Sequence, residues 1–351
     1  MVHSRRFLPY IHHFRAIAIL FVVASHSRQP LDWSASPLIE QFVEVIFNNG
    51  TTLFVFIAGF LFAYLLPKYD TRTYYLNKIK YVILPYILVG GPAVAFFFFR
   101  DRILPPTFPA DFGQWDLIVQ ILFLYGTGVM LLPLWFIPMI AIFYVLAPIF
   151  AVADRSGRIY QWLPLLFVAA LIIPRPAGNL NPFQAFVVFL PIYLLGMWSA
   201  KNVDWLMPRL AKFRGALVVS WLVLVFLGVL VFSAKGATYT KSLFELHDDI
   251  ISISTIQQTV LCFILLYYLE NLQTVLGKRL DFLADMSFAI FFLHQYAIGT
   301  FSRACHALGM ALSGNLLIYV LFTATVIAAS IVVVFFVRRI MGPYSRLVVG
   351  S

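Results

Sequence analysis

Hydrophobic residues recur along this chain in long unbroken runs. They show neither the alternation of a half-buried strand nor the narrow stripe of a soluble helix. Ten runs are long enough to predict membrane-crossing helices: 14–30, 45–66, 81–99, 133–152, 161–174, 183–199, 215–234, 251–269, 282–300 and 315–337. The fifth is short, and either extends or dips only partway. The stretch 117–132 is equally apolar but is interrupted by Gly126 and Gly128. It predicts a re-entrant or interfacial helix, which sits at membrane depth only where protein shields its backbone. The expected fold class is therefore all-α. A single polytopic transmembrane domain fills residues 1–351, with about ten spans and one short re-entrant or interfacial helix.

Composition agrees. The chain is 62% hydrophobic and only 11% charged, whereas charged residues normally make up about a quarter of a soluble domain. A net charge of +10 suggests nucleic acid at first, but its distribution points to the membrane. With the N-terminus inside, 18 of the 25 Lys and Arg residues fall on the cytoplasmic side. That asymmetry orients a multi-pass protein with both termini cytoplasmic and requires no nucleic-acid partner. Cleavage of the first span as a signal peptide is not expected, since it would leave an odd span count and remove the most suggestive polar residues. Cys262 and Cys305 provide neither a disulfide framework nor a metal-ligand spacing, and no metal is expected. No nucleotide-binding glycine loop or HExxH motif is present.

Polar residues inside apolar spans are the candidates for chemistry. In "FRAIAILFVVASHS", Arg15 and His26 stand eleven positions apart, on one helix face and about 16 Å apart along the axis. An imidazole titrating near neutrality suits general-base work on a hydroxyl; the plainer reading is a histidine bonded to a neighbouring helix. "TRTYYLNKIKYVILPY" gathers Arg72, Lys78 and Lys80 at the cytoplasmic mouth of a span, able to hold phosphate groups or simply to anchor the helix. Gly50 and Gly59 allow close helix approach, and "PLWFIPMIAIFYVLAP" predicts a distorted helix with Trp135 beside a cavity or at the interface. "MSFAIFFLHQYAI" places His294 and Gln295 at a depth similar to that of His26, which hints at one shared polar cavity. On the outer side, "FELHDDI" brings Glu245 and Asp248 near aromatics. The group suits sugar hydroxyls, and equally a solvated acidic loop.

In this order, the segments resemble the membrane-bound acyltransferase family 3 over essentially the whole chain. The resemblance rests on Arg15-x10-His26, "FVFIAGF" at 54–60, "KIKYVILPY", "LWF" with its proline-bearing span, and "FLHQ". Ala58 replaces the serine usual in the second motif, and lysines replace arginines in the third. The short form and the "NKIKYVILPY" phrasing look most like the exopolysaccharide-modifying branch, including members associated with poly-N-acetylglucosamine. The resemblance implies a bacterial inner-membrane enzyme that moves an acyl group, most readily acetyl, from cytoplasmic acyl-CoA to a hydroxyl of a cell-envelope or exported glycan. It implies catalytic roles for His26 and Arg15, and a donor site of Arg15, Arg72, Lys78, Lys80 and Trp135. The acceptor would meet His294, Gln295, Glu245 and Asp248, and a polysaccharide synthase or export machinery would be a partner alongside membrane lipids. Succinyl transfer, an acyl-histidine intermediate, and a glycan transporter or flippase without acyl chemistry are the alternatives that remain.

Overall fold

The computed structural model describes residues 8–48, 50–99, 107–231, 239–240, 253–270, 272 and 275–350. Its helices are α1 (Pro9–Ser27), α2 (Pro37–Phe47), α3 (Thr51–Leu65), α4 (Thr71–Lys78), α5 (Leu84–Phe99), α6 (Leu117–Thr127), α7 (Phe136–Val145) and α8 (Ala147–Ser156). They continue as α9 (Leu163–Ile172), α10 (Pro182–Lys201), α11 (Val203–Leu230), α12 (Ile253–Glu270), α13 (Val275–Ala307), α14 (Leu316–Met341) and α15 (Ser345–Val349). Proline opens α1, α2 and α10, where its missing N–H is unpaired in any helix and its fixed φ suits the first turn. Asn181 and Asn315 cap α10 and α14 by accepting the N–H groups of Gln184 and Ile318.

Each of the ten predicted runs coincides with a helix or a pair of helices, but the number able to cross a membrane is smaller. Among the described residues, seven helices are long and apolar enough, or eight if a bent pair counts as one span. Three of the ten expected spans are not among the seven: 133–152, which enters only through the bent pair, and 14–30 and 161–174, which fall short for separate reasons. In α1, three imidazoles and the Arg15 guanidinium interrupt the apolar run; α9 has only ten residues. The bent pair is α6 with the segment Leu132–Val145, which turns through 77°. Gly128 makes the turn at φ 75°, a left-handed conformation that favours glycine. A side chain there would also meet the carbonyl of Leu134 at 2.4 Å. The short helix expected at 117–132 is thus α6, and its sharp end is built by that glycine.

Ahead of α5, the helix widens into a π turn over Ile79–Ile83. Pro85 lies just beyond and cannot donate to the helical ladder, which accounts for the irregularity at that place.

At the centre, α3 crosses α10 backbone against backbone. A Cβ on Gly59 would lie 2.0 Å from the Tyr193 carbonyl oxygen, and one on Gly196 2.1 Å from that of Phe56. Only glycine permits this approach, the usual device for gaining dispersion contacts where lipid supplies no hydrophobic drive. Phe143 seals the junction, with ring centroids 4.6 Å from Phe186 and 4.5 Å from Tyr193. Two-thirds of the α10 span is buried, against 17% for α11 and 22% for the α14 span, so α10 is central and the other two are peripheral. Leu222, Phe226 and Leu230 of α11, and Phe335 and Phe336 of α14, point outward as a lipid-facing surface would require. Against α1 pack α13, whose sequence direction it shares, and α14, whose Tyr319 donates its hydroxyl to the Ala24 carbonyl at 2.9 Å. A two-residue parallel pairing joins Arg175–Pro176 to Tyr239–Thr240.

Candidate functional site

A polar seam runs between α1 and α13. At its beginning, His12 Nε2 lies 3.3 Å from Asp285 Oδ1 and His13 Nε2 lies 3.0 Å from Asp281 Oδ1. One turn further along α1, Arg15 Nη2 donates to Ser287 Oγ at 3.0 Å and to the Ala284 carbonyl at 3.3 Å. At the far end, the rings of His26 and His294 stand 5.3 Å apart at 33°. The spacings explain the alignment. Arg15 and His26 share a face of α1, while Ser287 and His294, seven apart, share a face of α13. Two parallel helices can therefore match cation to hydroxyl at one level and imidazole to imidazole at another.

The imidazoles differ in their surroundings. His294 is fully buried, and its Nδ1 lies 2.9 Å from the Ile290 carbonyl oxygen. A carbonyl only accepts, so Nδ1 carries the proton and Nε2 keeps a lone pair. That Nε2 is buried with no hydrogen-bond partner among the described residues, and so is Nδ1 of His26. No carboxylate among the described residues orients His26; its neighbour is the second imidazole.

His26 lines a cavity of about 360 Å³, together with Ser25, Arg28, Glu44, Asn48, Trp135 and Arg175. Arg28, just past the end of α1, pairs with Glu40 and lies 3.5 Å from Glu44. These carboxylates are one turn apart on α2, so the pairs tie α2 to α1 at the cavity rim. Arg175 is buried, with its guanidinium 4.6 Å from the Trp135 ring and 5.5 Å from that of Phe189. It also donates to Asn179 Oδ1 at 3.2 Å.

A second cavity, of about 470 Å³, opens at the other end of α1. Arg15, Lys68 and Lys78 line it, with Tyr69, Tyr74 and Ala58. Lys78 Nζ lies 4.4 Å from the centre of the Tyr144 ring and 5.1 Å from that of Tyr74, a cation held over aromatic faces. Asp70, also in the lining, caps α4 by accepting the Thr73 N–H at 2.8 Å. That bond holds the Asp70 carboxyl below its ordinary pKa.

The structure brings some of the predicted residues together and separates others. Arg15 and Lys78 share one cavity. Arg72 and Lys80 do not line it; both are exposed, and Lys80 Nζ lies 5.4 Å from the Tyr81 ring. Trp135, grouped in the sequence with the cations, lines the His26 cavity at the opposite end of α1. His294 stands behind His26. Gln295 lines neither cavity, and its Oε1 is buried without a hydrogen-bond partner among the described residues. Glu245 and Asp248 lie outside the described residues. Sequence reasoning missed Arg175, Glu44, Asn48 and Lys68 as lining residues. The i, i+4 pair Glu40 and Glu44 signalled a carboxylate face, whereas nothing local marks Arg175 beyond its place between two prolines. Among the described residues, no three His, Cys, Asp or Glu side chains converge on a possible metal position.

No curated relative and no solved structure matches the chain. The family described as an acyltransferase domain, acyltransferase family 3, matches residues 8–335, so the chain belongs to that family and is a membrane acyltransferase.

Proposed function

We propose that the chain transfers an acetyl group from cytoplasmic acetyl-CoA to a hydroxyl of a cell-envelope or exported polysaccharide, with His26 as general base. The observation that carries this reading is the pairing of two cavities at opposite ends of α1, one cationic and aromatic, the other holding the imidazole. Arg15, Lys68 and Lys78 would attract the anionic nucleotide end of the donor. The pantetheine arm would extend along α1 from Arg15 towards His26, ~16 Å away, so that the acyl end of the thioester reaches the imidazole. On the topology expected from the sequence, the chain's basic residues concentrate on the Arg15 side, which supports a cytoplasmic donor and an acceptor reached from the outer face.

In the reaction, the acceptor oxygen attacks the thioester carbonyl and gives its proton to His26. The carbon–sulfur bond breaks, and the departing thiolate of CoA recovers that proton from the imidazolium. Arg175 and Asn48 in the His26 cavity supply hydrogen-bonding groups for the acceptor or for the developing oxyanion. Purified protein, radiolabelled acetyl-CoA and a panel of glycans test the reading. Label should appear in a glycan, and His26→Ala should abolish its appearance while donor binding persists. Transfer from succinyl-CoA alone would replace acetyl with succinyl. Binding of no CoA ester would overturn the proposal.

A further inference from the structure

Two residues belong to both cavities: Phe54 on α3 and Phe136, the first residue of α7. Their ring centroids are 6.4 Å apart, tilted at 56°. Phe136 also lies 5.7 Å from Phe291, which faces the His26 cavity, and Phe291 lies 6.3 Å from Phe288, which faces the Arg15 cavity. The cavities are therefore divided by a wall of phenyl rings with no polar side chain between them in that chain of contacts. Both Phe54 and Phe136 are only partly buried although they sit deep in the fold, because each borders a hollow on two sides.

The two rings are mounted differently. Phe54 rides on α3, which the Gly59 and Gly196 contacts lock against α10. Phe136 follows the 3-10 turn Leu132–Trp135, directly after the 77° bend at Gly128. One side of the wall is thus fixed and the other sits at a break in the helix, where a small backbone adjustment re-aims the ring.

We propose that Phe54 and Phe136 form an apolar septum that admits a short, uncharged acyl group from the Arg15 cavity to His26 and excludes long or charged ones. This rests on the preceding reading that the acyl group arrives from the Arg15 side. A closed pair of phenyl rings yields to a methyl-sized group by a modest side-chain swing. A carboxylate passing the same point would lose its water with no partner to replace it. The septum therefore selects acetyl over succinyl, and it keeps the two cavities from joining into one continuous column of water.

Two measurements test it, on full-length protein in sealed, oriented vesicles. In the first, Ser25→Cys reports on the His26 cavity in a Cys305→Ser background, Cys262 being fully buried. A small membrane-impermeant thiol reagent should label it readily from the His26 side and poorly from the Arg15 side. Phe54→Ala or Phe136→Ala should speed Arg15-side labelling by about tenfold or more, the equivalent of lowering a barrier by ~1.4 kcal/mol. In the second, acetyl-CoA competes with butyryl-CoA and succinyl-CoA. Either alanine variant, or the milder Phe136→Leu, should raise the ratio of longer or charged product to acetyl product. That ratio is taken within one preparation and does not depend on the fraction folded. Equal labelling of the parent from both sides, or labelling and ratios unchanged in all variants, overturns the septum. If the labelling behaves as expected but no acyl group is transferred by the parent, the septum stands as a barrier and the proposed reaction falls.

Discussion

The imidazoles of His26 and His294 face one another at 5.3 Å across the α1–α13 contact, and each has a buried ring nitrogen without a hydrogen-bond partner among the described residues. Because the Ile290 carbonyl fixes the proton of His294 on Nδ1, its Nε2 lone pair is available in the same buried space as Nδ1 of His26. This gives His26 a neighbour able to steer its ring without carrying a formal charge.

Loss of the two histidines should therefore differ in kind. His26→Ala should lower kcat by about 10²- to 10⁴-fold, the usual worth of a general base, with donor binding retained. His294→Phe keeps a ring in the packing and removes the nitrogens. It should lower kcat less and leave the KM for the donor unchanged, as expected of a positioning residue. Steady-state kinetics with acetyl-CoA separates the two parameters.

Cations of the basic segment should sort by where they point. Lys78, over Tyr144 in the Arg15 cavity, should raise the donor KM when changed to alanine; Lys80 and Arg72, exposed outside it, should matter much less. Arg15→Ala removes the charge-assisted bond to Ser287 as well, so it should weaken both donor binding and the α1–α13 contact, the latter by about 1.5–3 kcal/mol. Titration of CoA binding and thermal denaturation in detergent would distinguish the two effects.

The α3–α10 crossing should be intolerant of any side chain. Gly59→Ala and Gly196→Ala each drive a methyl into a carbonyl of the facing helix, which must move. A destabilisation of about 1–3 kcal/mol or more is expected for such overpacking. Because α3 also carries Phe54, the cavities should change shape, and activity should fall further than the folded fraction alone. Gly157→Ala provides the contrast in packing. A Cβ there meets nothing within 4 Å, although its φ of 67° leaves a backbone cost.

The cap on α4 has a predictable pH response. The Thr73 N–H lowers the folded-state pKa of Asp70 below its ordinary carboxylate value. The bond therefore stabilises the folded state at and above the ordinary carboxylate pKa, and that stabilisation is lost as pH falls through the lowered folded value. Protection of the first-turn amides of α4, taken relative to their intrinsic exchange at each pH, should fall in acid, and Asp70→Ala should show the reduced protection already at neutral pH. Asp70→Asn, which keeps an acceptor, should retain protection with a weaker pH dependence.

Much of this architecture was legible in the sequence because the membrane is a severe solvent. Runs of apolar residues have few folds open to them, and every predicted run is mostly helical where it is described. The apolar stretch at 117–132 is broken at Gly128, which adopts the left-handed conformation such a break needs. Family membership was equally legible, from the order of short motifs. The span count was less so: among the described residues α1 and α9 are not in the set of seven or eight spans long and apolar enough to cross, one being interrupted by imidazoles and a guanidinium and the other short.

Residue type and spacing by themselves determined that Arg15 and His26 share one face of a buried helix. They also placed an imidazole at comparable depth in a later span. Tertiary structure alone decided that α13 is the helix packed along that face, and that Trp135 lies with His26 while Lys78 lies with Arg15. It also decided that Phe54 and Phe136 divide two cavities. Those relationships join positions tens to hundreds of residues apart, and helix periodicity carries no information about which faces meet. That choice is made by packing, here by two glycines that let α3 and α10 touch and by a glycine turn that aims Phe136 at its partner.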